Sequence, residues 1–213
     1  MRITLIYFDF PFWRAEISRI ALFIGEIDFQ DLRINYEEFG RVKSKGHLDN
    51  GTNIPFHQLP CLVVDNVSIA QSAGIARYCG KLSGLYPVNN AIKAAQIDQF
   101  LDILTDITEI ISSTKSEDRE EVAKGPLTRK LTILNKNIDQ NKDYLVDNNL
   151  SIADIGIWSF MGWLIGGKLD GIPLDILKDY ENIKKICKLV DQHPRVNDWI
   201  EKAYPKNYSR TIF

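Results

Sequence analysis

Four short stretches of the chain carry side chains that could do chemistry. Tyr7 closes an apolar run (LIYF), and Arg14-Ala15-Glu16 opens the helical pattern behind it. A phenol donates a hydrogen bond and so favours the anionic form of the atom it faces, and a neighbouring guanidinium acts in the same sense. Gln58-Leu59-Pro60 precedes a later apolar run, and Gln71-Ser72 precedes a further helix. Backbone N–H groups at a helix start lack partners within the helix and favour an anion. The fourth stretch, Ser151-Ile152-Ala153-Asp154, places an acid three residues after a hydroxyl, the pattern of a capping box. Each has an ordinary explanation when taken alone: a core tyrosine, a turn, a cap. Their joint occurrence in this order is more specific.

The elements that must position these groups fall into two halves. Arg2–Phe8 and Phe29–Ile34 are rich in β-branched and aromatic residues and are predicted strands. Between them, Ile17, Ile20, Ala21 and Ile24 repeat at helical spacing, and Gly25 is expected to cap that helix, Ala15–Ile24. A strand, helix and strand in succession predict a parallel pair. Arg41–Pro55 has no periodicity and is expected to be an extended surface loop. Cys61–Asp65 and Val67–Ala70, separated by Asp65-Asn66, predict a hairpin, and Ser72–Leu82 a helix. From Tyr86 to Asn90 the chain has the character of a linker. Beyond it every pattern is helical: Ala91–Ser112, a helix started by Pro126, one behind Ser151, then Asn182–Asp191 and Pro194–Ala203. The expected division is a first domain over residues 1–83, a linker over 84–90 and an all-helical domain over 91–213.

Composition narrows the function classes. A formal net charge of -2, with 45% apolar and 25% charged residues, suits a globular protein and gives no footing for nucleic acid or an anionic membrane. Ile155–Gly167, the most apolar stretch, is well short of the ~20 residues a membrane span needs and is expected to be a buried helix. Met1–Phe8 lacks the length of a signal peptide. Cys61, Cys79 and Cys187 form no disulfide framework and no metal-binding spacing, which suits a reducing cytoplasm. His47, His57 and His193 likewise form no metal or triad spacing, so no metal is expected. Cys61 is more simply a buried strand residue than a nucleophile.

Several segments together, LIYF, RAEISRIALFIG, FGRVK, PFHQLPCLVVDN, SIAQSAGIARY and LSIADI, resemble the glutathione transferases, and among them the sigma class most closely. The resemblance spans nearly the whole chain and is strongest over the first 80 or so residues. It implies an α+β fold: a thioredoxin-like domain ordered β-α-β-α-β-β-α, then an all-α domain, in a homodimer. It implies glutathione as co-substrate and a small electrophile as its target, in a cytoplasmic detoxification enzyme. A thiol with a pKa near ~8.5 is mostly protonated at neutral pH, and lowering it by ~2 units takes about 2.7 kcal/mol. Tyr7 would supply that, with Arg14 near the sulfur. Phe8, Phe39, Lys43, Gln58, Leu59, Pro60, Gln71 and Ser72 would hold glutathione, the bond before Pro60 being cis. Lys43 would face the glycine carboxylate, and Gln71 and Ser72 the γ-glutamyl end. Asp98 would reach the γ-glutamyl amine bound to the neighbouring subunit, or is a solvated helix residue.

The chain also departs from the family. Phe39 stands where a Trp is usual, and Phe has no N–H to donate. Similar proteins have Arg-Gly-Arg-Ala-Glu soon after the tyrosine; here Asp9-Phe10-Pro11-Phe12-Trp13-Arg14 is one residue longer and lacks the glycine. Phe10 and Trp13 would wall an electrophile pocket, or the aromatic rings pack against the helical domain. Isomerisation of a prostaglandin-like endoperoxide, peroxide reduction, a crystallin-like structural role and an interaction module are the alternatives to conjugation.

Overall fold

A computed structural model describes residues 1–12 and 14–205. They form two compact units, one over Met1–Tyr86 and one starting at Pro87. The first holds β1 (Ile3–Phe8), α1 (Glu16–Ile24), β2 (Gln30–Ile34), α2 (Tyr36–Lys45), β3 (Cys61–Val64), β4 (Val67–Ala70) and α3 (Ser72–Ser83). The sheet order is β2-β1-β3-β4, with β1 parallel to β2 and antiparallel to β3. This is the thioredoxin-like order.

α1 and α3 pack side by side, with Ile20, Ala21, Ile75, Ala76 and Cys79 fully buried. Gly25 sits where they approach: a Cβ there would meet the Ser83 Cβ at 2.6 Å. It ends α1 at φ -74, so close approach, and not the left-handed cap expected of it, accounts for the glycine. Glu26 takes the positive φ instead, at 54. A separate apolar cluster joins Ile6, Ile34 and Cys61 to Val42, Leu48 and Ile54 from α2 and the segment behind it, with Phe39 and Leu59 against it.

The expected loop over Arg41–Pro55 is therefore in part a helix, because α2 runs through Lys45. Asn35 caps it, its side chain accepting from the Glu38 N–H at 2.8 Å, and Gly46 stops it at φ 78. Only Phe39 and Val42 form its apolar stripe, too short a run to register as periodicity.

The second unit comprises α4 (Ala91–Ser112), α5 (Arg119–Val122), α6 (Thr128–Lys136), α7 (Ile152–Ile165), α8 (Glu181–Asp191) and α9 (Pro194–Ala203). α7 is its core: every residue from Ile152 to Leu164 is buried, and it packs on α4 and α8. No described helix is long and apolar enough to cross a membrane. Pro126 does not start a helix as expected. It lies within a π-helical turn, Ala123–Leu127, that joins α5 to α6. A proline leaves a carbonyl of the preceding turn without its usual donor, and the wider turn accommodates this; Thr128 Oγ1 donates to the Ala123 carbonyl at 2.6 Å.

The capping box forms as its sequence suggests. Ser151 N–H and Oγ both donate to Asp154 Oδ2, at 2.8 and 2.6 Å, and the Leu145 N–H donates to Oδ1 at 2.8 Å. Burial pushes the Asp154 carboxyl up to about 6, against the pull of these three donors.

Candidate functional site

The register of the sheet gathers the chemical residues at one end. Ile6 pairs with Cys61, the last rung between these strands, and Tyr7 and Pro60 are the next residues beyond it. Cys61 in turn pairs with Ala70, and Pro60 and Gln71 lie one residue beyond that rung. Tyr7 and Phe8 pair with Arg33 and Ile34 on the other side, and α2 begins two residues later. Residues 50 positions apart and more thus meet at the carboxyl end of β1, and α3 starts at the same place.

Tyr7 is 1% exposed. Burial drives its hydroxyl above the ordinary phenol value, with the Arg14 and Arg19 charges opposing, so it stays protonated and can act as a donor. Its ring meets Phe8 edge-on at 5.2 Å, and Phe8 contacts Tyr36 and Phe39 at 4.9 and 5.1 Å. Lys43 Nζ lies 5.3 Å from the Phe39 ring centroid, so Phe39 ties the strand end to the exposed lysine of α2.

The turn from β1 to α1 is held by Arg19, which is wholly buried. It pairs with Glu16 at 3.1 Å and Asp31 at 2.9 Å, and donates to the Phe8 and Phe10 carbonyls at 3.1 and 3.3 Å. Its guanidinium lies 5.8 Å from the Tyr7 ring centroid. Arg33 extends the cluster, bridging Asp31 and Asp9. No motif in the sequence singles out Arg19. The available signal was a Glu16–Arg19 pair three apart inside an otherwise apolar helix. Arg14 is half-buried, and its charge is felt at Tyr7 despite the longer turn. Phe12 adopts φ 63 within that turn and is itself core, at 3% exposed, while Phe10 is half-buried. Trp13 lies outside the described residues.

On the facing strand, Gln58 is exposed, Leu59 is half-buried and Pro60 is buried behind a cis bond. Gln71 stands at φ 72, ψ 119, a region that costs a non-glycine residue about 1–3 kcal/mol and that clusters at functional sites. Its carbonyl starts α3 by accepting from Ile75 N–H at 2.9 Å. The first-turn N–H groups of α3, beginning with Ser72, point away from the helix at its positive end. Asp98 is half-buried on α4, in the second unit, apart in the chain from the other candidates. Cys61 is a buried strand residue whose thiol burial pushes up to about 11; burial also pushes Cys79 up to about 12 and Cys187 well above the ordinary value. None of the three is in a disulfide.

A thioredoxin-like unit followed by an all-helical unit is the architecture of the glutathione transferases. Comparison with known proteins agrees. Residues 3–81 match the family model for the glutathione S-transferase N-terminal domain and residues 101–203 that for the C-terminal domain. Glutathione S-transferase 3 of Caenorhabditis elegans is 31% identical over 201 residues, 88% of this chain and 90% of that one. The human hematopoietic prostaglandin D synthase is 26% identical over 93% of this chain and 94% of its own. The solved structure of prostaglandin synthase D of Nilaparvata lugens superposes with a TM-score of 0.80 at 30% identity, over 96% of this chain and all of that one. The chain belongs to the glutathione S-transferase family and is a glutathione transferase.

Proposed function

We propose that Tyr7 donates a hydrogen bond to the sulfur of glutathione and so holds it as the thiolate that attacks an electrophile. The observation that supports this is the register: Ile6 pairs with Cys61 and Cys61 with Ala70, and the next residues along are a buried, protonated phenol, Pro60, and Gln71 at the start of a helix. In this reading the γ-glutamyl carboxylate lies on the first turn of α3 at Gln71 and Ser72, where N–H groups and the helix dipole favour an anion. The backbone of Leu59 pairs with the cysteinyl unit as a short strand addition, with Gln58 and Pro60 beside it. Lys43 faces the glycine carboxylate, and Phe39 and Phe8 give the site its apolar side. Arg14 adds charge near the sulfur, and Phe10 and Trp13 border the electrophile.

The enzyme in this reading is cytoplasmic, as three thiols outside any disulfide suit a reducing compartment. It acts in detoxification as a homodimer, two-fold dimers being the commonest oligomer, with Asp98 serving the glutathione of the partner subunit. Glutathione-dependent isomerisation of a prostaglandin-like endoperoxide is the second reading, favoured by the likeness to the two prostaglandin synthases.

Retention on immobilised glutathione, together with conjugation of an aryl halide, tests the main reading. Tyr7→Phe should still be retained but should conjugate about 100-fold more slowly or worse, the usual cost of losing a preorganised donor to a developing anion. Unchanged turnover would remove Tyr7 from the mechanism. Turnover of an endoperoxide without conjugation would select the second reading.

A further inference from the structure

We propose that His57 is a positioning residue of the glutathione site: its imidazole pins the end of α2, which carries Lys43, to the segment that carries Gln58, Leu59 and Pro60. This rests on the reading of those residues as the glutathione site.

His57 Nδ1 lies 3.0 Å from the backbone carbonyl of Lys43. A carbonyl can only accept, so Nδ1 carries the hydrogen and donates. That carbonyl belongs to the last turn of α2, where the helix itself supplies no donor four residues on. The imidazole provides one from 14 residues along the chain. The same ring rests on Gly46: a Cβ there would meet Nε2 at 2.5 Å and Cδ2 at 2.9 Å. Position 46 therefore needs glycine twice over, for its φ of 78 and for the ring above it.

The segment behind Gly46 is tied to the same place. Ile54 N–H donates to the Gly46 carbonyl at 2.8 Å, Ile54 is fully buried, and His57 N–H donates to the Ile54 carbonyl at 3.1 Å. To bring the ring over the helix end, Phe56 and His57 adopt φ 58 and φ 52 in succession, where non-glycine residues are uncommon. A turn that had only to change direction would accept glycine at 57. The imidazole held there in a left-handed conformation makes two contacts that glycine could not, with the Lys43 carbonyl and with Gly46. Its effect is to fix the spacing between Lys43 and Leu59, the groups assigned to the glycine and cysteinyl parts of glutathione. Tyr7 sits on β1, held by the sheet on both sides, so binding and not the chemical step depends on His57.

Two variants separate the contact from the backbone. His57→Gly removes the ring and relieves the left-handed residue. His57→Asn keeps a side-chain N–H near the position of Nδ1–H, and asparagine tolerates the same φ. Steady-state kinetics are measured with glutathione and an aryl halide, alongside Ser72→Ala. His57→Gly should raise KM for glutathione about three- to tenfold, the worth of one net hydrogen bond, with kcat and the KM for the aryl halide within about twofold and Tm no lower. His57→Asn should recover the low KM. An unchanged glutathione KM in His57→Gly overturns the proposal. So does a fall in Tm with all constants moving together, or an Asn variant as impaired as the Gly one. If Ser72→Ala raises KM for glutathione and His57→Gly does not, the proposal alone falls. If neither does, the glutathione-site reading falls and takes the proposal with it.

Discussion

The two units bury ionised or ionisable groups in opposite ways. In the first, Arg19 sits among full countercharges, Glu16 and Asp31, and also holds two backbone carbonyls of the turn beside Tyr7. Burial works against the Arg19 charge, but the two carboxylates outweigh it and hold its pKa above the ordinary arginine value. In the second, Asp154 is held by dipoles, backbone N–H groups and the Ser151 hydroxyl. Burial prevails there, and the carboxyl is pushed up. An ion cluster therefore holds the turn beside the site at any working pH. The helix cap, remote from chemistry in the chain, is free to titrate.

The contrast can be broken at either end. Arg19→Met removes the charge 3.1 Å from the buried Glu16, and removing one partner of such a pair typically costs about 3–5 kcal/mol. Denaturant titration should show that loss. A second change, Glu16→Gln, should restore part of it, whereas strictly additive losses would mean that the pair is not coupled.

The pH dependence is the next largest effect. The Asp154 carboxyl is at about 6 in the folded chain, against an ordinary value of about 3.9 in the unfolded one. A raised folded value means that its contribution is complete below pH ~4 and is lost as pH rises through ~6. The loss is on the order of 2–3 kcal/mol. Stability measured from pH 4 to 7 should carry this descending step in the wild type, and the step should be missing in Asp154→Asn. A wild-type step of the opposite sign would show that the three donors outweigh burial.

The smallest effect is Ser151→Ala. It deletes the cap hydroxyl at a cost of about 1 kcal/mol, read as a lower Tm with no change in glutathione KM.

Long, regular elements were legible in the sequence. α4 and α9 have the bounds their periodicity and leading signals imply, and β4 falls on its β-branched run. α2 was not legible from its own residues, since two apolar positions three apart cannot establish a helical period. Pro126 misled because a proline is tolerated at a first turn, whereas here a π turn takes it inside. Gly25 was placed correctly at the helix end but for another reason, which only the neighbouring Ser83 discloses. The types of the candidate site residues were visible, yet their convergence was not. It depends on which residue of β3 faces Ile6, and no local pattern encodes that pairing. Arg19 and His57 stayed hidden for a similar reason: each reaches backbone carbonyls nine or more residues away, which no local pattern announces.

The three buried thiols bear on a hazard built into this occupation. A protein that brings electrophiles to a sulfur nucleophile exposes its own sulfurs to them. With Cys61 at about 11, roughly one such thiol in ten thousand is ionised at pH 7, and Cys79 at about 12 is less ionised still. Cys187 is walled in completely. Burial therefore keeps these three thiols protonated and out of reach of such reagents in the folded chain. Incubated with an aryl halide in the absence of glutathione, it should take up no cysteine label, and the same treatment in denaturant should label all three.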